Sequence, residues 1–170
     1  LQIYGIEKKS LHKSILQIIN KNLSRKVNYN HLLRVAVNKK IISISLRKRI
    51  STKLNFNLKL VNLKREKPQY KNLKYKKILK YLIKMDNSNS DIGLISDKKI
   101  FETGTSNLLF IRNNKFYTPI KGYYEGITLK FLKRKIKRMK KKNIFVKDLI
   151  NYDEILLVGS GKGITSVKTI

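Results

Sequence analysis

The first pattern along the chain is a helical repeat of apolar residues. Its members are Leu11, Ile15, Ile18, Ile19 and Leu23. Residues three and four positions apart lie on one face of an α-helix, so the spacing predicts an amphipathic helix over residues 8 to 24. The same spacing recurs later in the chain and predicts a second helix. That set is Ile78, Leu79, Leu82 and Ile83.

Alternating apolar and polar residues, the pattern of half-buried strands, mark the segments between and after these helices. The predicted strands are residues 31–37, 42–46, 54–60, 92–96, 108–111, 115–117 and 154–158. Asparagine is common in tight turns, which predicts turns at Asn38-Lys39 and Asn113-Asn114. Helices and β-hairpins together predict a mixed α+β (α/β) fold.

One polar stretch and one basic stretch divide the rest of the chain. Residues 64–69, which contain Pro68, break the periodic patterns and are the predicted linker between a domain of residues 1–63 and one of residues 70–170. The basic stretch continues an apolar repeat formed by Leu129, Leu132, Ile136 and Met139. This repeat predicts a helix that starts near Gly126 and carries the cations of residues 133–142 on its solvent face.

Composition narrows the class of protein. The chain has 170 residues, no cysteine and two histidines, so we expect neither disulfides nor a metal site. Hydrophobic residues make up 41% of the chain, which is enough for a folded core. No apolar run approaches the roughly 18 residues that cross a bilayer, so we expect a soluble, cytoplasmic protein without a membrane partner.

Net charge suggests a nucleic-acid partner, but composition weakens that hypothesis. The chain has 40 Lys+Arg against 10 Asp+Glu, a formal charge of +30. Of the cations 32 are lysine and 8 arginine, and Lys, Ile and Asn fill 71 positions. These three residues use AT-rich codons, so genome composition explains the excess, and nucleic-acid readers favour arginine. A solvated helix face therefore explains residues 133–142 better than a phosphate-binding patch does.

Four short motifs carry the candidate chemistry. They are Tyr70-Lys71-Asn72-Leu73-Lys74-Tyr75, Phe101-Glu102-Thr103-Gly104-Thr105-Ser106-Asn107-Leu108, Glu125-Gly126-Ile127-Thr128, and Asp153-Glu154-Ile155-Leu156-Leu157-Val158-Gly159-Ser160-Gly161. The glycine-rich one is not a P-loop, because Gly163 follows Lys162 where Ser or Thr is required. Gly126-Ile127-Thr128 stands where a helix begins, so its N–H groups could hold a phosphate or simply start a helix.

In this order the motifs resemble those of the class IV aminotransferases, pyridoxal-phosphate enzymes that include branched-chain and D-amino-acid transaminases and aminodeoxychorismate lyase. The family pattern also has Thr-Pro where this chain has Thr118-Pro119. The resemblance covers residues 64–170 and implies the class IV aminotransferase-like fold, with residues 1–63 as the end of a small N-terminal domain and residues 70–170 as the larger cofactor-binding domain. It implies a truncated start at Leu1, since the family's phosphate-binding arginine has no match before residue 30.

The resemblance also implies roles for individual residues. Lys71 would carry pyridoxal 5'-phosphate covalently and move the proton at the substrate's Cα. Glu102 would contact the pyridine nitrogen. Tyr75 would hydrogen-bond the cofactor's phenolic oxygen, or else be a core aromatic. Asn107 is expected to brace the strand turn.

The cofactor's phosphate would be held by backbone groups in two places. By resemblance these are the backbones of Ile127 and Thr128 at the start of a helix, and of Ser160 and Gly161 after the last predicted strand. The chain departs from the family pattern at Lys74, where asparagine is usual, and at Leu129, where arginine is usual. Both departures concern the choice of substrate more than cofactor binding.

The activity implied by the resemblance is amino-group transfer between an amino acid and a 2-oxo acid, by a homodimer. The alternative is an aminodeoxychorismate lyase that releases pyruvate, which would use the same Lys71 and Glu102. Gly159-Ser160-Gly161 favours the transaminase. Two hypotheses lie outside this class of activity: a basic nucleic-acid-binding protein, and an inactive relative that serves as a binding module.

Overall fold

The computed structural model of the chain describes residues 8–38 and 40–170. The described residues form two compact units, an N-terminal unit that ends at Arg49 and a C-terminal unit of residues 50–170. No helix within the described residues is long and apolar enough to cross a membrane.

The N-terminal unit contains one helix and one β-hairpin. Helix α1 spans Lys8–Asn22, and strands β1 (His31–Val37) and β2 (Ile42–Lys48) pair antiparallel, with Val35 opposite Ile44. In the turn between them, Asn38 Oδ1 accepts hydrogen bonds from the backbone N–H groups of Lys40 and Ile41 at 2.8 and 2.7 Å. The predicted helix and both strands are confirmed, while Lys39 of the predicted turn lies outside the described residues.

The C-terminal unit is built on an eight-stranded sheet. Its strands are β3 (Phe56–Asn62), β4 (Ser90–Ser96), β5 (Lys99–Thr103), β6 (Asn107–Arg112), β7 (Lys115–Pro119), β8 (Lys140–Lys142), β9 (Glu154–Gly159) and β10 (Gly163–Thr169). They lie in the order β5-β4-β3-β10-β9-β6-β7-β8. Helices α2 (Lys76–Leu82) and α3 (Ile127–Lys135) and a 3-10 helix at Val146–Asn151 complete the unit.

Strand β3 determines where the two units divide. It pairs in parallel with both β4 and β10, which come from later parts of the chain, so it belongs to the larger sheet. The division at residues 49 and 50 therefore precedes the linker predicted at residues 64–69. The assignment of residues 1–63 and 70–170 to the two domains of the family fold stays a prediction.

Strand β6 is buried on both faces of the sheet, which explains its continuous apolar run. Along β6, Leu108 and Phe110 belong to one buried cluster, whereas Leu109 packs with Leu129 of α3 in another. Successive side chains of a strand point to opposite faces, so an apolar residue at each position means burial on both sides. Helix α3 thus docks on the sheet through Leu129, which is fully buried.

The basic helix is shorter than the sequence predicts. Helix α3 ends at Lys135, Ile136 leaves helical geometry with φ −93° and ψ 88°, and Lys140–Lys142 form strand β8 beside β7. Consecutive cations repel one another within a helix, whereas the edge of β7 offers backbone hydrogen-bond partners to an extended segment. The helix predicted to start near Gly126 is therefore confirmed as far as Lys135 and wrong over residues 136–142.

Besides β8, which was predicted as helix, two strands were missed by the sequence patterns. In β5 the inward positions include the acidic Glu102, so alternation of apolar and polar residues is lost although the burial alternates. Strand β10 follows a glycine-rich turn and ends in polar residues, yet it occupies the centre of the sheet between β3 and β9. Its place is determined by pairing with two strands that are distant in sequence.

Candidate functional site

A buried carboxyl on strand β5 is the best-defined chemical group in the C-terminal unit. Glu102 is 3% exposed, and its Oε1 accepts a hydrogen bond from Arg65 Nε at 2.7 Å. The backbone N–H of Tyr124 donates to Oε2 at 3.3 Å. Burial raises the pKa of Glu102 above its ordinary value, and the Arg65 guanidinium only partly opposes this rise.

Lys71 lies in the loop before α2, and its side chain contacts Tyr124, the residue whose backbone binds Glu102. Its Nζ is 5.7 Å from the centroid of the Tyr124 ring, a cation–π distance. Because the Tyr124 backbone also contacts Glu102, this tyrosine connects the two residues to which the sequence assigns the central chemistry. Lys71 itself is exposed, so its amine is accessible to a ligand.

Asn107 holds the segment that follows Tyr124. It is 5% exposed, its Nδ2 donates to the Tyr124 carbonyl at 2.6 Å, and its Oδ1 accepts from the Gly126 N–H at 2.9 Å. The side-chain amide therefore uses both its donor and its acceptor on residues 124 and 126. Asn107 was predicted to brace the strand turn, and the segment that its side chain braces is residues 124–126.

The first candidate phosphate segment begins next to this brace. Gly126 precedes α3, and Ile127 and Thr128 are the first residues of the helix. Its first turn contains no acidic residue, and the first N–H groups of an α-helix lack partners within the helix. A Cβ at Gly126 would lie 2.9 Å from Asn107 Oδ1, so a glycine allows the segment to approach its brace.

The second candidate segment, Ser160 and Gly161, is in the turn between β9 and β10. Asn107 is the register partner of Val158, and a Cβ on Gly159 would come within 2.9 Å of Ser106 Oγ. Ser106 and Asn107, at the start of β6, therefore lie beside the end of β9, where the turn begins. Asn107 also binds Gly126, the residue before α3. Ser160 is exposed at this turn.

Tyr75 immediately precedes α2 as its N-cap residue. It is half-buried and packs against the apolar cluster that includes Val61, Ile78 and Ile92. This contact is the core role weighed as the alternative for Tyr75. Its hydrogen bond to a cofactor stays a prediction.

Sequence reasoning missed two residues of this site, Arg65 and Tyr124. Arg65 falls within the stretch interpreted as a linker, but its side chain is only 15% exposed and it also donates to the Gly104 carbonyl at 3.4 Å. Its residue type was a signal that could have identified it, because the chain has only eight arginines against 32 lysines. Arginine is the cation suited to pairing with a buried carboxylate. Tyr124 carried no signal beyond preceding the Glu125-Gly126-Ile127-Thr128 motif.

Comparisons with known proteins give a family match and several similar folds. A model of the amino-transferase class IV family matches residues 2–170. No curated protein matches the chain by sequence. The chain is similar in structure to a protein assigned as a 4-amino-4-deoxychorismate lyase from Legionella pneumophila, at 21% identity and a TM-score of 0.72, over 96% of this chain and 69% of that one.

Two further structures are similar over a large part of the chain. A branched-chain aminotransferase from Thermoproteus uzoniensis has 15% identity and a TM-score of 0.68, covering 99% of this chain and 67% of that one. An aminotransferase from Brucella abortus bound to pyridoxal phosphate has 17% identity and a TM-score of 0.60, covering 75% and 50%. At these identities the likeness shows the fold, and it confirms the predicted mixed α+β architecture.

Proposed function

Because this chain belongs to the class IV aminotransferase family, whose enzymes use pyridoxal 5'-phosphate, we propose that it binds this cofactor through Lys71 and transfers amino groups between an amino acid and a 2-oxo acid. The observation that carries the proposal is the convergence of Lys71 and Glu102 on Tyr124. An accessible amine and a buried carboxyl beside one aromatic residue are the groups that this chemistry requires.

The described residues fit the cofactor. Pyridoxal phosphate, when bound, supplies an electron-poor ring that stabilises negative charge at the substrate's Cα. Glu102 would contact the ring nitrogen, and Arg65 would hold the carboxyl in place. Ile127 and Thr128 at a helix N-terminus, with the turn at Ser160 and Gly161, would offer backbone N–H groups to the phosphate.

Lys71 would also act as the acid and base of the reaction. Its amine would accept the proton from the substrate's Cα and return it during exchange of the amino group. The exposure of Lys71 supports this role, because a substrate must reach the amine. A homodimer and a cytoplasmic location, both implied by the family, stay predictions.

The alternative within the family is an aminodeoxychorismate lyase that releases pyruvate. Its support is the structural likeness to the Legionella protein. Gly159-Ser160-Gly161 in the β9–β10 turn supports the transaminase instead. The two are separated by measuring oxo-acid exchange with a panel of amino donors and pyruvate release from aminodeoxychorismate.

The first experiment is an absorbance titration of the protein with pyridoxal phosphate, repeated on Lys71→Ala and on Lys77→Ala as a matched exposed lysine. We expect the wild type and Lys77→Ala to show a visible band that borohydride removes. We expect Lys71→Ala to show no such band. A band that persists in Lys71→Ala would transfer the anchoring role to another lysine. A folded wild-type protein with no band would refute cofactor binding.

A polyanion-binding function has one structural observation in its favour. A surface groove of about 610 Å³ is lined by residues that include five cations, and no acidic residue of the described chain lines it. The cations are Lys115, Lys135, Lys137, Arg138 and Lys140. If RNA binds here, affinity should fall steeply with salt and should fall again when Lys137, Arg138 and Lys140 are neutralised. Binding unchanged by these substitutions would exclude the groove.

A further inference from the structure

A buried carboxylate on β4 ties together three parts of the C-terminal unit. Asp91 is fully buried, and its Oδ2 accepts hydrogen bonds from Thr103 Oγ1 at 2.9 Å and Thr105 Oγ1 at 2.5 Å. Lys162 Nζ forms an ion pair with the same oxygen at 3.2 Å. The remaining oxygen accepts the Ile92 N–H at 2.8 Å. Asp91 therefore has partners on both carboxylate oxygens.

The side chain of Lys162 is buried although the residue stands in the turn between β9 and β10. Its side chain is 8% exposed, its Nζ lies 3.2 Å from Asp91 and 3.4 Å from the Ser90 carbonyl, and it is 4.6 Å from the Phe56 ring centroid. A buried ammonium is costly to desolvate unless it is paired and hydrogen-bonded. The side chain that follows Gly161 is thus directed into the protein and anchored there.

The turns joined by this carboxylate are the ones that border the candidate site. Thr103 is the last residue of β5, and Thr105 lies in the connection from β5 to β6, between Glu102 and Asn107. Lys162 is adjacent to Ser160 and Gly161. A single carboxylate thus links the connection after Glu102 to the turn that carries the second candidate phosphate segment.

We propose that the Asp91–Lys162 ion pair positions the β9–β10 turn for the phosphate group of the cofactor. The inference rests on the proposed function. With the lysine anchored, the backbone of Ser160 and Gly161 keeps one conformation, and its N–H groups are preorganised for an anion. Loss of the anchor releases the turn, so binding of the phosphate group is weakened. Binding of the aldehyde and the ring is not.

The test compares two ligands that differ only in the phosphate, pyridoxal phosphate and pyridoxal. Each is titrated into the full chain, as wild type and as Lys162→Met, and the dissociation constants are measured by absorbance. We expect Lys162→Met to weaken pyridoxal phosphate about tenfold, since small misplacements of a preorganised group have large effects, and to change pyridoxal less than about twofold. Lys53→Met is the control, because Lys53 forms an exposed ion pair with Asp86.

Asp91→Asn separates positioning from direct contact with the phosphate. If Lys162 acts through Asp91, this variant should also weaken pyridoxal phosphate selectively. If the ammonium itself binds the phosphate, freeing it from Asp91 should preserve or improve that affinity, and this result would overturn the proposal. Equal weakening of both ligands by Lys162→Met, or no change in either, would also overturn it.

The double variant Asp91→Asn/Lys162→Met covers the case in which the single variants fold poorly. It removes both charges, so no uncompensated charge stays buried. Restored folding with continued loss of phosphate discrimination would support the proposal, whereas restored discrimination would refute it. Failure of the wild type to bind either ligand would refute the proposed function itself, and this inference with it.

Discussion

Truncation of Asn107 is the sharpest test of how the site is held together. Asn107→Ala removes the donor to the Tyr124 carbonyl and the acceptor of the Gly126 N–H, at 2.6 and 2.9 Å. The segment so released carries the N–H that binds Glu102 and the ring that Lys71 approaches. One substitution thus loosens both proposed cofactor contacts without touching either side chain.

The expected loss of stability follows from two hydrogen bonds at a site that is 5% exposed. Each contributes about 1 kcal/mol net, and a partner left buried and unsatisfied costs about 1–3 kcal/mol. We expect Asn107→Ala to lower the free energy of unfolding by about 2–3 kcal/mol. For a chain of this size the melting temperature should fall by roughly 4–12 °C.

The assay is urea unfolding followed by far-ultraviolet circular dichroism, with Asn62→Ala as the control. Asn62 is an exposed asparagine on β3 of the same sheet. The control should change stability by less than about 0.5 kcal/mol, as is usual for surface substitutions. A loss for Asn107→Ala no larger than that of the control would refute the bracing role, and unchanged pyridoxal-phosphate affinity would refute its link to the site.

Two other predictions concern the segment around α3. Hydrogen bonding from Lys133 lowers the pKa of Glu125 below its ordinary value of 4.5, so the stability it adds is present above that pH and is lost as pH falls through the folded pKa. Since Glu125 is 36% exposed, Glu125→Gln should cost only about 0.3–1 kcal/mol at pH 7 and less at about pH 3, measured by urea unfolding at both pH values. In the same assay, Gly122→Ala should destabilise the protein by at least about 1 kcal/mol more than Gly163→Ala. This difference is the usual cost of forcing an extra methyl group into a packed site. Both glycines have positive φ, but only at Gly122 would a Cβ meet another residue, 2.6 Å from Phe101 Cδ1.

Each of these predictions has an outcome that contradicts it. A Glu125→Gln deficit that is the same at pH 3 and pH 7 would mean that the charge of Glu125 is not what stabilises the segment. Equal effects of the two glycine substitutions would mean that Phe101 moves aside, leaving only the shared cost of a positive φ.

One-sided burial gives the clearest periods in the sequence, although β4 and β6, which are buried along most of their length, were also predicted. Helix α1 and strands β1 to β3 follow their apolar periods because each buries one face and exposes the other. Strand β5 breaks this rule, since Glu102 occupies an inward position. The end of α3 also could not be predicted, because the apolar spacing continues to Met139 while the backbone leaves the helix at Ile136.

In the candidate site, too, some residues were predicted from the sequence and others were found only in the structure. Lys71, Glu102 and the two backbone segments were predicted from motif order and stay predictions, and in the structure Lys71 and Glu102 both contact Tyr124. Arg65 was hidden in a segment interpreted as a linker. Only the folded chain brings it to Glu102, which lies 37 positions away in sequence.

The sequence by itself determined the alternation of helices and strands, the family resemblance and the residue types available for chemistry, because these depend on local spacing. The tertiary structure alone decided which charges are buried together. Lys162 and Asp91 are 71 positions apart and meet because β4, β3, β10 and β9 are neighbours in one sheet. From the sequence alone, a lysine in a glycine-rich turn is expected to be an exposed cation. Lys162 is instead buried and paired, because the order of the strands brings Asp91 next to it.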